Sequence, residues 1–137
     1  MLIRSFRLGD YAAITQIWRE TGLEQTGTES LDALAKQLAW DSDLVLIAEE
    51  ENQVIGVVVG TIDGSRAYFY RLAVRPDAQG TGVGRKLVEA LENKFKQRGV
   101  NRVLIMVNQE NERVLPFYHS LGYELQKYIT LSKKLSS

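Results

Sequence analysis

The chain has 137 residues, 45% hydrophobic and 25% charged, which fits a single soluble domain spanning 1–137 with about two thirds of its unfolded surface buried. Lys plus Arg number 17 and Asp plus Glu also 17, so the balance supports neither nucleic acid nor an anionic membrane as main partner. With no Cys, disulfides, thiolate–zinc clusters and a thiol nucleophile are excluded and no metal is expected; no apolar run nears the roughly 18 residues of a membrane span and the N-terminus lacks a signal-peptide pattern, so a cytoplasmic location is expected.

Leu2 to Arg7 alternates apolar and charged residues and reads as a half-buried strand. Asp10 fits an N-cap. Ile14, Ile17 and Trp18 then share one helical face, and Gly22 stands at the stop. Leu23 to Thr28 is a polar loop, and Glu29 or Ser30 opens a second helix with Leu31, Leu34 and Leu38 on one side. Leu44 to Ala48 is a compact apolar strand, and Glu50 to Gln53 is turn-like. Val54 to Ile62 is the next strand, interrupted by Gly56 and Gly60. Asp63-Gly64 is a hairpin signal leading into Ala67 to Val74, so three strands in a row should be antiparallel. From Val83, the apolar positions Leu87, Val88, Leu91 and Phe95 recur at helical spacing, with Gly99 at the stop. Arg102 to Val107 is a strand. Asn111 caps a helix through Leu121 with Gly122 as its stop, Tyr123 to Leu131 alternates as a last strand, and Ser132 to Ser137 is a polar tail. The order βααβββαβαβ describes an α/β protein with a mixed, mostly antiparallel sheet flanked by helices. Its strand–helix–strand unit from Ala67 to Val107 supplies one parallel pair.

Tyr70 to Lys86 is the stretch with the most chemical content. An apolar strand turns at Pro76 into Gln79-Gly80-Thr81-Gly82-Val83-Gly84-Arg85, and a helix follows. The first amides of a helix have no partner within it and carry the positive end of its dipole, which suits an anion. Gly80, Gly82 and Gly84 would let a phosphate approach the backbone. Arg75, Arg85 and Lys86 add local positive charge. Two common phosphate motifs do not apply. A dinucleotide fingerprint fails because Arg85 stands where the third glycine belongs, and a P-loop fails because Gly84 precedes Arg85-Lys86-Leu87. A tight strand-to-helix connection without a ligand is the plain alternative.

Gln79-x-x-Gly82-x-Gly84, following Leu72-Ala73-Val74-x-Pro76, resembles the acyl-CoA pyrophosphate loop of the GNAT N-acetyltransferase superfamily. A second stretch, Asn111-x-x-Val114-x-x-Phe117-Tyr118-x-x-Leu121-Gly122-Tyr123, resembles that family's C-terminal motif, with Val114 where Ala is usual. The element order matches as well, and the likeness is closest to small bacterial acetyltransferases of the YpeA type. The resemblance implies acetyl-CoA as donor, CoA as product and a primary amine, on a small molecule or a peptide, as acceptor. Carried onto this chain, the backbone of Leu72, Ala73 and Val74 would bond pantetheine and the acetyl carbonyl. The loop amides from Gly80 through Thr81, Gly82, Val83 and Gly84 to Arg85, with the Gln79 side chain, would bind the pyrophosphate. Asn111 would touch pantetheine, and Tyr118 would sit at the sulfur.

On a continuous helix, Asn111 and Tyr118 would share a face while Val114, Phe117 and Leu121 pack inward. A thiolate leaving group with a pKa near 8.5, against about 10 for a tyrosine, makes Tyr118 a suitable acid. Deprotonating a lysine-like amine at neutral pH costs about 4.6 kcal/mol, so a base is useful. Glu110 is the nearest candidate, with a solvated loop charge as its alternative, and His119 reads as a surface residue. Trp18, Glu20, Glu24, Glu29, Trp40, Tyr70 and Arg71 are candidates for acceptor selection. The competing function is an acyl-CoA-binding sensor or interaction module without chemistry, suggested by Tyr70 and Arg71 standing where many relatives place a carboxylate. The identity of the amine and the oligomeric state, a homodimer included, stay open.

Overall fold

A computed structural model describes residues 1–23, 36, 42–107 and 109–136. The chain forms two compact units, Met1–Met106 and Val107–Ser137. In the first, β1 (Leu2–Ser5), α1 (Tyr11–Glu20), β2 (Val45–Glu50), β3 (Gln53–Asp63), β4 (Arg66–Val74), α2 (Val83–Gln97) and β5 (Arg102–Leu104) follow one another among the described residues. The sheet order is β1-β2-β3-β4-β5. The first four strands pair antiparallel, while β4 and β5 run parallel, as the element order predicts. The expected second helix, from Glu29 or Ser30 through Leu38, lies outside the described residues apart from Lys36, which is helical.

β2 and β3 are nearly continuous apolar runs because they are covered on both faces. Toward α1, Val45, Ile47, Val57, Val59 and Ala73 pack with Phe6, Ile14, Ile17 and Trp18. Toward α2, β3 presents Gly56 and Gly60, because the helix approaches the strand too closely for a side chain. A Cβ added at Gly60 would lie 2.8 Å from Phe95 Cζ and 3.0 Å from Leu91 Cδ1. Gly60→Ala is therefore expected to destabilise the fold by about 1–3 kcal/mol through overpacking, measured as a lower midpoint of denaturant unfolding. An unchanged midpoint would mean that α2 is not seated on this glycine.

Asp10 precedes α1 but does not cap it with its side chain. Its carboxylate instead accepts the Arg7 N–H at 2.8 Å and two N–H groups of Arg4 at 2.8 and 2.9 Å. Arg4 also bonds Glu49 at 3.0 Å, tying β1, β2 and the turn before α1 together. The Arg4 hydrogen bonds hold the Asp10 carboxyl below its ordinary value of 3.8, against the opposing effect of burial. The resulting stability is complete above pH 3.8 and is lost as the pH falls through the lower folded value. Asp10→Ala should cost about 2–4 kcal/mol at neutral pH by leaving Arg4 underpaired, and should flatten the acid limb of the stability profile. An acid limb of unchanged steepness would assign that loss to other carboxylates.

The second unit departs from the sequence expectation twice. The helix expected from Asn111 to Leu121 is broken. A 3₁₀ stretch, Gln109–Val114, contains Asn111 with non-helical angles (φ −115°, ψ 33°), and α3 spans only Leu115–Ser120. Pro116 is the reason: an earlier start would place it inside the helix, where its ring meets the carbonyl four residues back and its missing N–H breaks the ladder. In the first turn it is tolerated. Asn111 and Tyr118 therefore do not share the face of one helix. Val114, Phe117 and Leu121 are half-buried.

The expected last strand, Tyr123 to Leu131, is irregular. Leu125, Ile129 and Leu131 are 76%, 88% and 90% exposed. Alternation supplies two faces, but a strand exists only by pairing, and the sheet among the described residues has five strands, none of them in this segment.

Candidate active site

β4 makes the site by parting from β5 while staying paired with β3. Among the described residues its pairs with β5 are Arg66, Ala67 and Tyr68. Its pairing with β3 shifts register between Val57↔Ala73 and Val59↔Tyr70, so Arg71 and Leu72 together oppose Val58 in a bulge. Arg71 takes φ +54° there. For a residue with a side chain this costs about 1–3 kcal/mol and persists only when the surroundings hold it. Trp18 supplies that hold: its indole N–H donates to the Arg71 carbonyl at 3.1 Å, and the Arg71 guanidinium lies over the same ring, 5.1 Å from its centre.

Beyond the bulge, the Arg75 N–H donates to the Ile55 carbonyl at 2.7 Å, and Ala73 stands opposite Val57. Alternation along this antiparallel ladder directs the hydrogen-bonding groups of Ala73 to β3 and those of Leu72 and Val74 to the side that β5 has left. Leu72 and Val74 thus offer backbone groups at the open edge, whereas Ala73 spaces them.

The loop then builds an anion cradle. Pro76–Ala78 form a 3₁₀ turn, and the Gln79 side-chain amide donates back to the Val74 carbonyl at 3.0 Å, bracing the loop on the strand end. Thr81 spends its hydroxyl on the Ala78 carbonyl at 2.5 Å. Gly80 and Gly82 take φ +79° and +88°, and a Cβ added at either meets nothing within 4 Å. Gly82 is the N-cap of α2 and, having no side chain, makes no cap hydrogen bond to the helix's first turn. Amides lacking a cap, beside open space, suit an anion. Arg75 does not contribute free charge as its sequence position suggests, because it bonds Asp77 at 2.6 Å and Gln53 at 3.0 Å.

In the second unit, Tyr118 is half-buried on α3, with Phe117 edge-on at 5.1 Å and Tyr123 at 6.3 Å between ring centres. Burial raises its phenol above 10.0. Glu110 and His119 are exposed, and the His119 ring lies 3.0 Å from the Tyr123 carbonyl oxygen. In the first unit, burial also raises the Tyr70 phenol, outweighing the opposite pull of Arg71.

Of the residues proposed for acceptor selection, Trp18 is 2% exposed and belongs to the core and the bulge rather than to a binding surface. Tyr70 is 41% exposed. Glu20 is exposed and accepts from Gln16 at 3.1 Å. Glu24, Glu29 and Trp40 lie outside the described residues. The bulge and its Trp18 partner have no sequence signal, since no glycine marks a positive φ in Tyr70-Arg71-Leu72.

The family model described as "Acetyltransferase (GNAT) family" matches residues 11–123. An acetyltransferase of Pectobacterium atrosepticum is 36% identical over 135 residues, covering 98% of this chain and 96% of that protein. An acetyltransferase of Sodalis glossinidius is 34% identical over 134 residues, covering 98% and 94%. Among solved structures, the apo aminoglycoside antibiotic 6'-N-acetyltransferase of Acinetobacter haemolyticus aligns with a TM-score of 0.80 over 99% of this chain and all (100%) of that chain, at 19% identity, a likeness of fold.

Proposed function

Because the chain belongs to the acetyltransferase (GNAT) family, we propose that it transfers an acetyl group from acetyl-CoA to a primary amine of a small molecule or peptide, by direct attack of the amine on the thioester. The observation that carries this reading is the β4 edge of Leu72 and Val74 running into a glycine-rich loop whose N-cap, Gly82, makes no side-chain cap bond. Acetyl-CoA supplies the activated acetyl group.

The open edge at Leu72 and Val74 holds the pantetheine arm, with Ala73 as spacer. The amides from Gly80 to Arg85 hold the pyrophosphate, and Gln79 acts by bracing the loop. Hydrogen bonds to a charged group contribute about 1.5–3 kcal/mol each, against roughly 0.3–2 for the helix dipole. The loop amides therefore dominate anion binding, and Arg85 and Lys86 assist. The Leu72 N–H stabilises the negative charge that develops on the acyl oxygen. Tyr118 donates its proton to the departing sulfur, and burial keeps that phenol protonated at neutral pH. Asn111 contacts the pantetheine arm. Glu110 takes the amine proton through water. We read residues 1–137 as an acetyl-transfer domain that works in the cytoplasm.

Calorimetry with acetyl-CoA, followed by an amine screen read as released CoA thiol, tests the assignment. Micromolar binding and turnover on at least one amine are expected. Absence of binding at high micromolar donor would overturn the donor assignment, and binding without turnover on any amine would return the sensor reading.

A further inference from the structure

Trp18 lies in α1, between β1 and β2, 53 residues from Arg71, and none of the roles proposed for the donor or the acid involves it. It is nevertheless the residue that grips the bulge. One buried ring makes two different contacts with Arg71, an indole N–H to its carbonyl and a π face to its guanidinium. Arg71 is also the one residue of β4 with a positive φ. Its carbonyl, at the bulge, accepts the indole N–H at 3.1 Å. The bulge sits between the last β4–β5 pair, at Tyr68, and the open edge at Leu72 and Val74.

We propose that Trp18 is a positioning residue for the donor groove: by locking Arg71 in its left-handed conformation it sets the direction in which the Leu72 and Val74 backbone groups point. This rests on the reading of that edge as the donor site, but the lock itself is a separate claim about α1 and β4. It makes a specific genetic prediction. A lock is needed only because Arg71 carries a side chain at positive φ, and glycine adopts that conformation freely. Loss of the lock should therefore matter in the wild-type background and matter little when position 71 is glycine.

Trp18→Phe keeps an aromatic ring in the core and deletes the donor. It is expected to weaken acetyl-CoA binding about tenfold, and to speed amide hydrogen exchange from Arg71 to Val74 while leaving exchange in β2 and α2 unchanged. In the Arg71→Gly background, the same substitution should change affinity less than about twofold. Equal losses in the two backgrounds, or faster exchange spread over the whole sheet, would reduce Trp18 to a packing residue and overturn the proposal. If the wild type binds no acetyl-CoA, the proposed function fails and the exchange experiment still decides the lock. If Trp18→Phe does not fold, the wild-type indole N–H decides it by NMR. A scalar coupling across the hydrogen bond from the indole N–H to the Arg71 carbonyl supports the lock, and its absence removes it.

Discussion

Tyr118→Phe should cut turnover by about 10²–10⁴-fold, while acetyl-CoA affinity changes by no more than about twofold. The substitution keeps the ring, and with it the edge-on contacts to Phe117 and Tyr123, so packing changes little. What is lost is the proton. A general acid is needed only as the carbon–sulfur bond breaks, so its removal should fall on kcat rather than on donor binding. The pH profile gives a second readout. Burial shifts this phenol upward from 10.0, so the protonated form persists through neutral pH, and the acid is lost only above that ordinary value. Wild-type kcat should fall on that alkaline limb, and Tyr118→Phe should lack the limb. Turnover within about threefold of wild type, or an alkaline limb that survives the substitution, would remove Tyr118 from the chemistry.

The second large effect is expected at the loop. Gly82→Val should raise the dissociation constant for acetyl-CoA about a hundredfold, the loss of one or two amide bonds to a charged group. Two physical causes act together. At φ +88° a β-branched residue is strained, so the first amides of α2 would move off their aim. The new side chain would also occupy space that is open around Gly82. Gly82→Asn separates the causes, because Asn tolerates the left-handed region. It should keep the loop shape and lose less affinity than Val. Calorimetry on the three proteins measures the order Gly, Asn, Val. Normal affinity in the Val variant would show that the pyrophosphate does not bind at this loop.

The elements that the sequence alone determined are those governed by local chemistry. The apolar spacing from Val83 to Phe95 gives α2, since an amphipathic helix needs only its own periodicity and one face to bury. Gly22, Gly99 and Gly122 end the three described α-helices, with backbone bonds such as Leu23 N–H to the Trp18 carbonyl closing each turn. The Gln79–Gly84 loop was legible for the same reason: Gly80 and Gly82 meet local requirements of the backbone, at φ +79° and +88°, and they stand at the start of a helix. The family followed from that loop and the Asn111–Tyr123 stretch in their correct order.

Tertiary structure decided what depends on distant partners. The strand read from Tyr123 to Leu131 is absent because alternation describes a side-chain pattern, while a strand requires a neighbour with which to pair. Asn111 is not a helix cap, because Pro116 limits where α3 can begin. Asp10 precedes a helix as its sequence position suggests, yet its carboxylate goes to Arg4 and the Arg7 amide, where a buried charge finds stronger partners. The direction of the Leu72 and Val74 backbone groups was the least legible feature. It depends on one extra residue in β4, on Arg71 at positive φ, and on an indole from a helix far away in the chain. The indole bond is a nonlocal contact, and the bulge shows itself only in the pairing with β3, so neither marks the residues of β4 themselves.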